Sequence, residues 1–375
     1  MAGIYVHVPF CKQACHYCNF HFSTSLKKKA EMLLAICTEL SLRKKELPGP
    51  VQTIYLGGGT PSLLSGSEIE MLLASVYEHF NITKNPEITL EANPDDLTEE
   101  KIESLKNSKI NRLSIGVQSF FSADLKLMNR AHTAKEAVQC IKKAKRAFKN
   151  ISIDLIYGTP NMTNKQWEQN IDKALSFNIP HLSCYALTVE PKTALERQIK
   201  NGALPPVSDG TAARHHKILI KKTEAAGYEN YEFSNFCKPG HHSQNNTGYW
   251  HGKPYLGVGP AAHSYDGRTR SWNIANNALY LKNVQKNILP IKRETLTKND
   301  KYNEHVMTRL RTRGGIQLST VRETFGKKYH AYMLQQAKKH IDNGLLLKTE
   351  NTIAVTKKGK FLSDGIASDL FLLHL

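Results

Sequence analysis

The chain has 375 residues, 40% of them hydrophobic, which is enough for one large α/β domain and a smaller companion. A formal charge of +18, from 51 Lys and Arg against 33 Asp and Glu, favours an anionic partner. The basic clusters at 27–29, 142–146 and 221–222 fall on expected surface helices, so an acidic small molecule is preferred to nucleic acid. No apolar run reaches membrane-spanning length and no charged leader precedes an apolar stretch, so no membrane span and a cytoplasmic location are expected. Seven cysteines, an odd number, argue against a disulfide framework.

The first expected strand, over 4–8, runs directly into Cys11-Lys12-Gln13-Ala14-Cys15-His16-Tyr17-Cys18. Three thiolates in so short a loop would repel one another unless a cation or cluster held them. A 4Fe-4S cluster tied by three cysteines keeps one iron without a protein ligand, where a small molecule can chelate. Zinc with His7, His16 or His21 as fourth ligand is the competing assignment; structural zinc sites favour a second cysteine pair, which the chain lacks. The spacing, with Tyr17 before the last cysteine, resembles the radical S-adenosylmethionine superfamily.

Up to about residue 190, strands alternate with amphipathic helices. Strands are expected over 4–8, 53–56, 87–92, 112–117, 151–157 and 181–187, with helices over 26–46, 67–80 and 134–148 among the segments between them. Six βα units suit an open, partial (β/α)6 barrel, whose functional groups gather at the C-terminal ends of its strands. That rule selects the polar residues at those ends. Gly57-Gly58-Gly59-Thr60-Pro61 leaves the second strand, where glycines let the backbone approach a ligand; no Lys-Ser or Lys-Thr follows, so it is not a P-loop. Glu91 ends the third strand and suits ribose hydroxyls, although a helix-entry turn with Asp96 and Glu99 as a capping box explains the region equally. Gln118 ends the fourth strand and Arg130 follows in the next loop. Asp154 sits between Ile153 and Leu155, where burial is costly unless it is paired or bound.

Residues 228–265 turn aromatic, Gly-rich and His-rich, a platform for a flat ligand such as heme or a packed loop sealing the barrel. Beyond Pro290, helical stretches around 307–313 and 329–343 precede a hairpin over 344–356, which suggests a winged-helix-like module. The divisions expected are a barrel over 1–227, an aromatic extension over 228–295 and a C-terminal winged-helix-like helical domain over 296–375.

Across nearly the whole chain the motifs resemble the HemW family, heme-chaperone relatives of oxygen-independent coproporphyrinogen III oxidase. They are the opening from Ile4 to Cys11, the three cysteines, Gly-Gly-Gly-Thr-Pro, Glu-Ala-Asn-Pro-Asp, Gly-Val-Gln-Ser, Asp-Leu-Ile-Tyr-Gly and the segment from Gly257 to Ser264. The resemblance implies cluster ligation by Cys11, Cys15 and Cys18, and contact with S-adenosylmethionine by Tyr5, Tyr17, Gly58 and Glu91. It implies that Gly59, Thr60, Gln118, Arg130 and Asp154 line a second such site. Heme and a heme-accepting protein are the implied partners. The family's His-Asn-x-x-Tyr-Trp is here Asn245-Asn246-Thr247-Gly248-Tyr249-Trp250, so the axial heme ligand must come from elsewhere, with His241, His242 or His251 the neighbouring candidates. The oxidases carry an N-terminal extension and a further cysteine where this chain has Phe20, so chaperone activity is expected over radical oxidation of a porphyrinogen.

Overall fold

The structure, a computed structural model, describes residues 2–373. Strands β1 (Ala2–Val8), β2 (Val51–Gly58), β3 (Ile82–Ala92), β4 (Arg112–Gln118), β5 (Asn150–Tyr157) and β6 (His181–Ala186) pair in sequence order, all parallel. A parallel sheet is covered on both faces and needs apolar runs; every residue of β4 is buried. Its outer face packs on helices including Lys29–Leu42, Gly66–His79, Ala134–Ala147 and Asn164–Ser176, which contribute Ile36, Leu72, Ile141 and Trp167 to one core.

The helix starts follow local chemistry. Capping boxes of Ser65 with Glu68, Thr133 with Glu136 and Thr163 with Gln166 satisfy backbone N–H groups that a helix cannot pair internally. The first helix is shorter than the expected 26–46, spanning Lys29–Leu42 without a side-chain cap. The box expected from Asp96 and Glu99 does not form: Thr98 caps helix Glu99–Lys106, and Asp96 accepts from Ser62.

The sheet stays open and grows at both edges. Next to β6 lie the antiparallel β8 and β7, formed by β7 (Glu229–Asn230) and β8 (Asn235–Cys237). Next to β1 lies β9 (Tyr255–Val258), a further parallel strand, continued by antiparallel β10 (His263–Tyr265), β11 (Thr269–Asn273) and β12 (Ile291–Thr295). The aromatic segment therefore supplies edge strands and the short helix Gln244–Trp250. A buried pair, Glu39 and Arg43 at 2.8 Å, ties the first helix to this added edge. Arg43 donates to the Gly257 carbonyl, while Glu39 accepts from the Gly259 N–H and the Tyr280 hydroxyl, so both charges are fully hydrogen-bonded. Gly259 adopts φ 97° against the His7 carbonyl, a position that admits no side chain.

The C-terminal part has its own core of Tyr302, Val306, Leu310, Val321, Met333 and Ile353. Helices Lys298–Leu310, Leu318–Thr324 and Lys327–Asp342 precede the hairpin, and β13 (Ile316–Gln317), β14 (Leu346–Lys348) and β15 (Thr352–Val355) pair in the order β13-β15-β14. This is the winged-helix pattern, with Leu318–Thr324, β13 and helix Ser363–Asp369 added to the elements expected. Among the described residues no helix is long and apolar enough to cross a membrane.

Candidate functional site

The cysteine loop is anchored on both flanks. The Cys11 N–H donates to Ser23 and the Ser23 N–H to Pro9, each closing the loop at its base at 3.0 and 2.9 Å. At its tip the Gln13 amide donates to Asn129 at 2.7 Å, and Asn129 donates back to Ala14 at 2.8 Å. Lys12 pairs with Asp95 at 2.8 Å and also with Asp96. The three thiols thereby line one cavity of about 420 Å³ at the C-terminal ends of the strands.

Gly58, Gly59, Thr60, Glu91, Gln118, Arg130 and Asp154 line the same cavity. At Gly59 a Cβ would stand 2.5 Å from the Phe10 carbonyl oxygen, so only glycine lets β2 turn here against the cysteine loop. Gln118 holds φ 64°, a left-handed conformation that bends the chain at the end of β4. Arg130 donates to Cys15 Sγ at 3.2 Å, to the Gly116 carbonyl at 2.9 Å and to Asn93 at 2.5 Å. Tyr5 and Tyr17 lie outside this cavity. Tyr5 lines a second, larger one, and Tyr17 packs on the cluster containing Leu125 and Met128.

Burial pushes the Cys11 thiol up to about 11 and raises Cys18; their mutual proximity with Cys15 adds to the effect. Thiols so placed give up their protons to a cation rather than to water. Among the described residues no three His, Cys, Asp or Glu side chains are grouped as ligands of a single metal ion. The histidines considered as a fourth zinc ligand are engaged elsewhere: His16 Nδ1 with the Leu127 carbonyl, His7 Nε2 with the His21 carbonyl, and His21 Nε2 with Asn277, at 2.8, 2.8 and 2.7 Å. None of them lines the cysteine cavity.

Two carboxylates face the cysteines. Burial raises Glu91 to about 7, although it accepts from Tyr55 at 2.7 Å and from the Gly58 N–H at 3.1 Å. Burial raises Asp154 to about 6 despite hydrogen bonds from Ser183 and Ser114. Such groups seat hydroxyl donors or an ammonium. Tyr55, Arg112, Ser114 and Ser183, which motif reading missed, line the cavity too. Their signal was period-two alternation: Arg112, Ser114, Gly116 and Gln118 put every second residue of β4 into the cavity.

The larger cavity, about 1130 Å³, lies between the added sheet edge, helix Gln244–Trp250 and helix Lys298–Leu310. Phe20, Gly58 and Glu91 line both cavities, so the two adjoin. Of the histidines near the substituted motif position, His251 lines the larger cavity and His241 and His242 do not. Asn245 does not either: its side chain accepts from Thr53 at 3.2 Å, and its N–H donates to Glu87 at 3.1 Å.

An open parallel barrel with three cysteines after its first strand defines a radical S-adenosylmethionine protein, and residues 5–174 match the model of the radical SAM superfamily. Residues 296–362 match the HemN C-terminal domain. The chain is 33% identical to the heme chaperone HemW of Mycobacterium tuberculosis over 98% of its own length and 94% of that protein's. It is 33% identical to that of Bacillus subtilis over 98% of each. The chain belongs to the HemW family. In fold it matches the radical SAM coproporphyrinogen III oxidase of Escherichia coli with a TM-score of 0.87 at 24% identity, over 100% of this chain and 90% of that one.

Proposed function

We propose that the chain is a heme chaperone that carries a 4Fe-4S cluster on Cys11, Cys15 and Cys18, binds S-adenosylmethionine beside it, and passes heme to an acceptor protein. The observation that carries the heme reading is the larger cavity, lined by Tyr249, Trp250, Tyr255 and several histidines and adjoining the cysteine cavity. Its aromatic walls suit a flat macrocycle, and a chain of +18 suits two propionates.

The donor set fits the cluster: three thiols on one pinned loop, with no histidine lining their cavity. When bound, such a cluster supplies an open iron and one electron to a chelating cofactor. The chain's own residues then orient that cofactor. Glu91, held by Tyr55 and the Gly58 N–H, accepts its hydroxyls. Tyr5, Tyr17 and Gly58 are assigned with Glu91 to the first S-adenosylmethionine; Gly59, Thr60, Gln118, Arg130 and Asp154 are assigned to a second. Arg130 pairs with a carboxylate, and Asp154 with an ammonium or hydroxyls.

Anaerobic reconstitution tests the reading. About four irons per chain are expected, lost in Cys11→Ala, Cys15→Ala or Cys18→Ala and retained in Cys37→Ala. The reduced-cluster spectrum should respond to S-adenosylmethionine. The same protein should bind heme saturably and leave coproporphyrinogen III unconverted; stoichiometric zinc without iron, or turnover to protoporphyrinogen, would replace this assignment.

A further inference from the structure

Seven aromatic side chains other than histidine line the larger cavity, and six of them already have a partner for their rings. Tyr5 stacks on Tyr55 with centroids 6.0 Å apart, and Tyr249 meets Tyr255 edge-on at 4.6 Å. Tyr265 tilts against Tyr255 at 6.4 Å and Phe325 stands edge-on to Tyr302 at 5.6 Å. The Trp250 ring lies under the Arg311 guanidinium at 5.6 Å. Phe20 is the exception. It is 70% exposed, it belongs to none of the hydrophobic cores, and no aromatic ring or cation stands over it among the described residues.

The exposure of Phe20 does not come from a loosely held loop, because both of its neighbours are tied down. The Asn19 amide donates to Glu190 at 2.8 Å. The His21 ring bonds Asn277 at 2.7 Å, and the His21 carbonyl accepts from His7 at 2.8 Å. A phenyl ring is thus held in open space where the two cavities adjoin, lining both. A ring left in water forfeits the stabilisation that covering it would bring, and its flat face favours another flat, apolar surface. Of the two cavities, only the larger, at about 1130 Å³ against about 420 Å³, combines aromatic walls with room for a macrocycle.

We propose that Phe20 is a macrocycle-binding residue, its ring covering the edge of the heme that reaches toward the cysteine cavity. This rests on the heme-binding reading above and adds the contact that fixes where the macrocycle lies relative to the cysteines. The contact is with the ring plane and not with iron, so it does not distinguish heme from the metal-free macrocycle.

Heme and metal-free protoporphyrin IX, titrated by absorbance into anaerobically reconstituted wild type, Phe20→Ala, Phe20→Leu and Phe20→Tyr, test this, with circular dichroism to verify folding. S-adenosylmethionine is added to the reduced cluster of each. Phe20→Ala should lose about tenfold in affinity for both macrocycles alike. Phe20→Leu, apolar without a flat face, should lose less, and Phe20→Tyr should match wild type. The cluster spectrum should respond to S-adenosylmethionine in all of them. Wild-type affinity for both macrocycles in Phe20→Ala would overturn the inference and leave the chaperone reading standing. So would a loss for heme alone, or a lost S-adenosylmethionine response with macrocycle binding intact, which would give the ring to the cofactor. Absence of saturable heme binding by wild type would overturn both.

Discussion

Glu91 and Asp154 stand in the cavity with carboxyls raised to about 7 and about 6, burial being the first cause for each. A carboxyl that keeps its proton longer when folded favours the unfolded chain as pH rises, because only the unfolded group ionises near its ordinary value. For Glu91 that loss accrues between about 4.5 and about 7. In cofactor-free protein Glu91→Gln should therefore match wild type below the lower limit and melt higher than wild type above the upper one. Melting temperatures at stepped pH check this; a variant less stable throughout would mean that the Tyr55 and Gly58 bonds outweigh the burial cost. At this scale much of the site was legible. Cysteines, glycines and a lone Asp in an apolar strand are conspicuous, but Ser114 and Ser183 acquire meaning only once strand register puts them opposite Glu91 and Asp154, and Arg112, opposite Thr89, only once alternation turns it into the same cavity. Asn245, which stands where the family has its histidine and was not expected to ligate heme, spends its side chain on Thr53.

Among the elements, helix Gln244–Trp250 links the barrel to the larger cavity. Its start is held twice, by the Ser243 side chain accepting from Asn246 and by the buried Glu87 carboxylate accepting the N–H groups of Gln244 and Asn245, both at 3.1 Å. A carboxylate there also meets the positive end of the helix. Glu87→Gln keeps the size and removes the charge, leaving an amide NH₂ facing a donor, and should cost about 1–3 kcal/mol of stability. Urea midpoints would measure that loss. Heme affinity should fall with it, because the helix carries Tyr249 and Trp250 to the cavity wall; unchanged affinity would separate the two roles. The six parallel strands were readable as elements because burial on both faces demands continuous apolar runs. The edge strands were not: β7, β8 and β10 have two or three residues each, too few for a period, and their pairing depends on partners distant in the chain.

At the scale of the whole molecule, two hydrophobic cores flank one cavity, and their direct ties are apolar as well as polar: Phe361 packs against the barrel core and tilts on His216 at 5.9 Å, and Arg311 lies over the Phe233 and Trp250 rings. Arg270 pairs with Glu304, Lys357 with Glu224 at 2.8 Å, and the Arg313 N–H donates to the Tyr231 carbonyl at 3.0 Å. The exposed ion pairs contribute little, so Phe361 and the Arg311 contacts carry more of what holds the C-terminal domain against the barrel. A heme in the larger cavity would touch both walls and couple them, and opening the same interface would release it to an acceptor. Amide hydrogen exchange with and without saturating heme reads this directly. Protection should rise together in Lys298–Leu310 and Gln244–Trp250, whose residues line the same cavity. Protection confined to Gln244–Trp250 in wild type would mean that heme sits on the barrel alone, and release would then need no movement of the C-terminal domain.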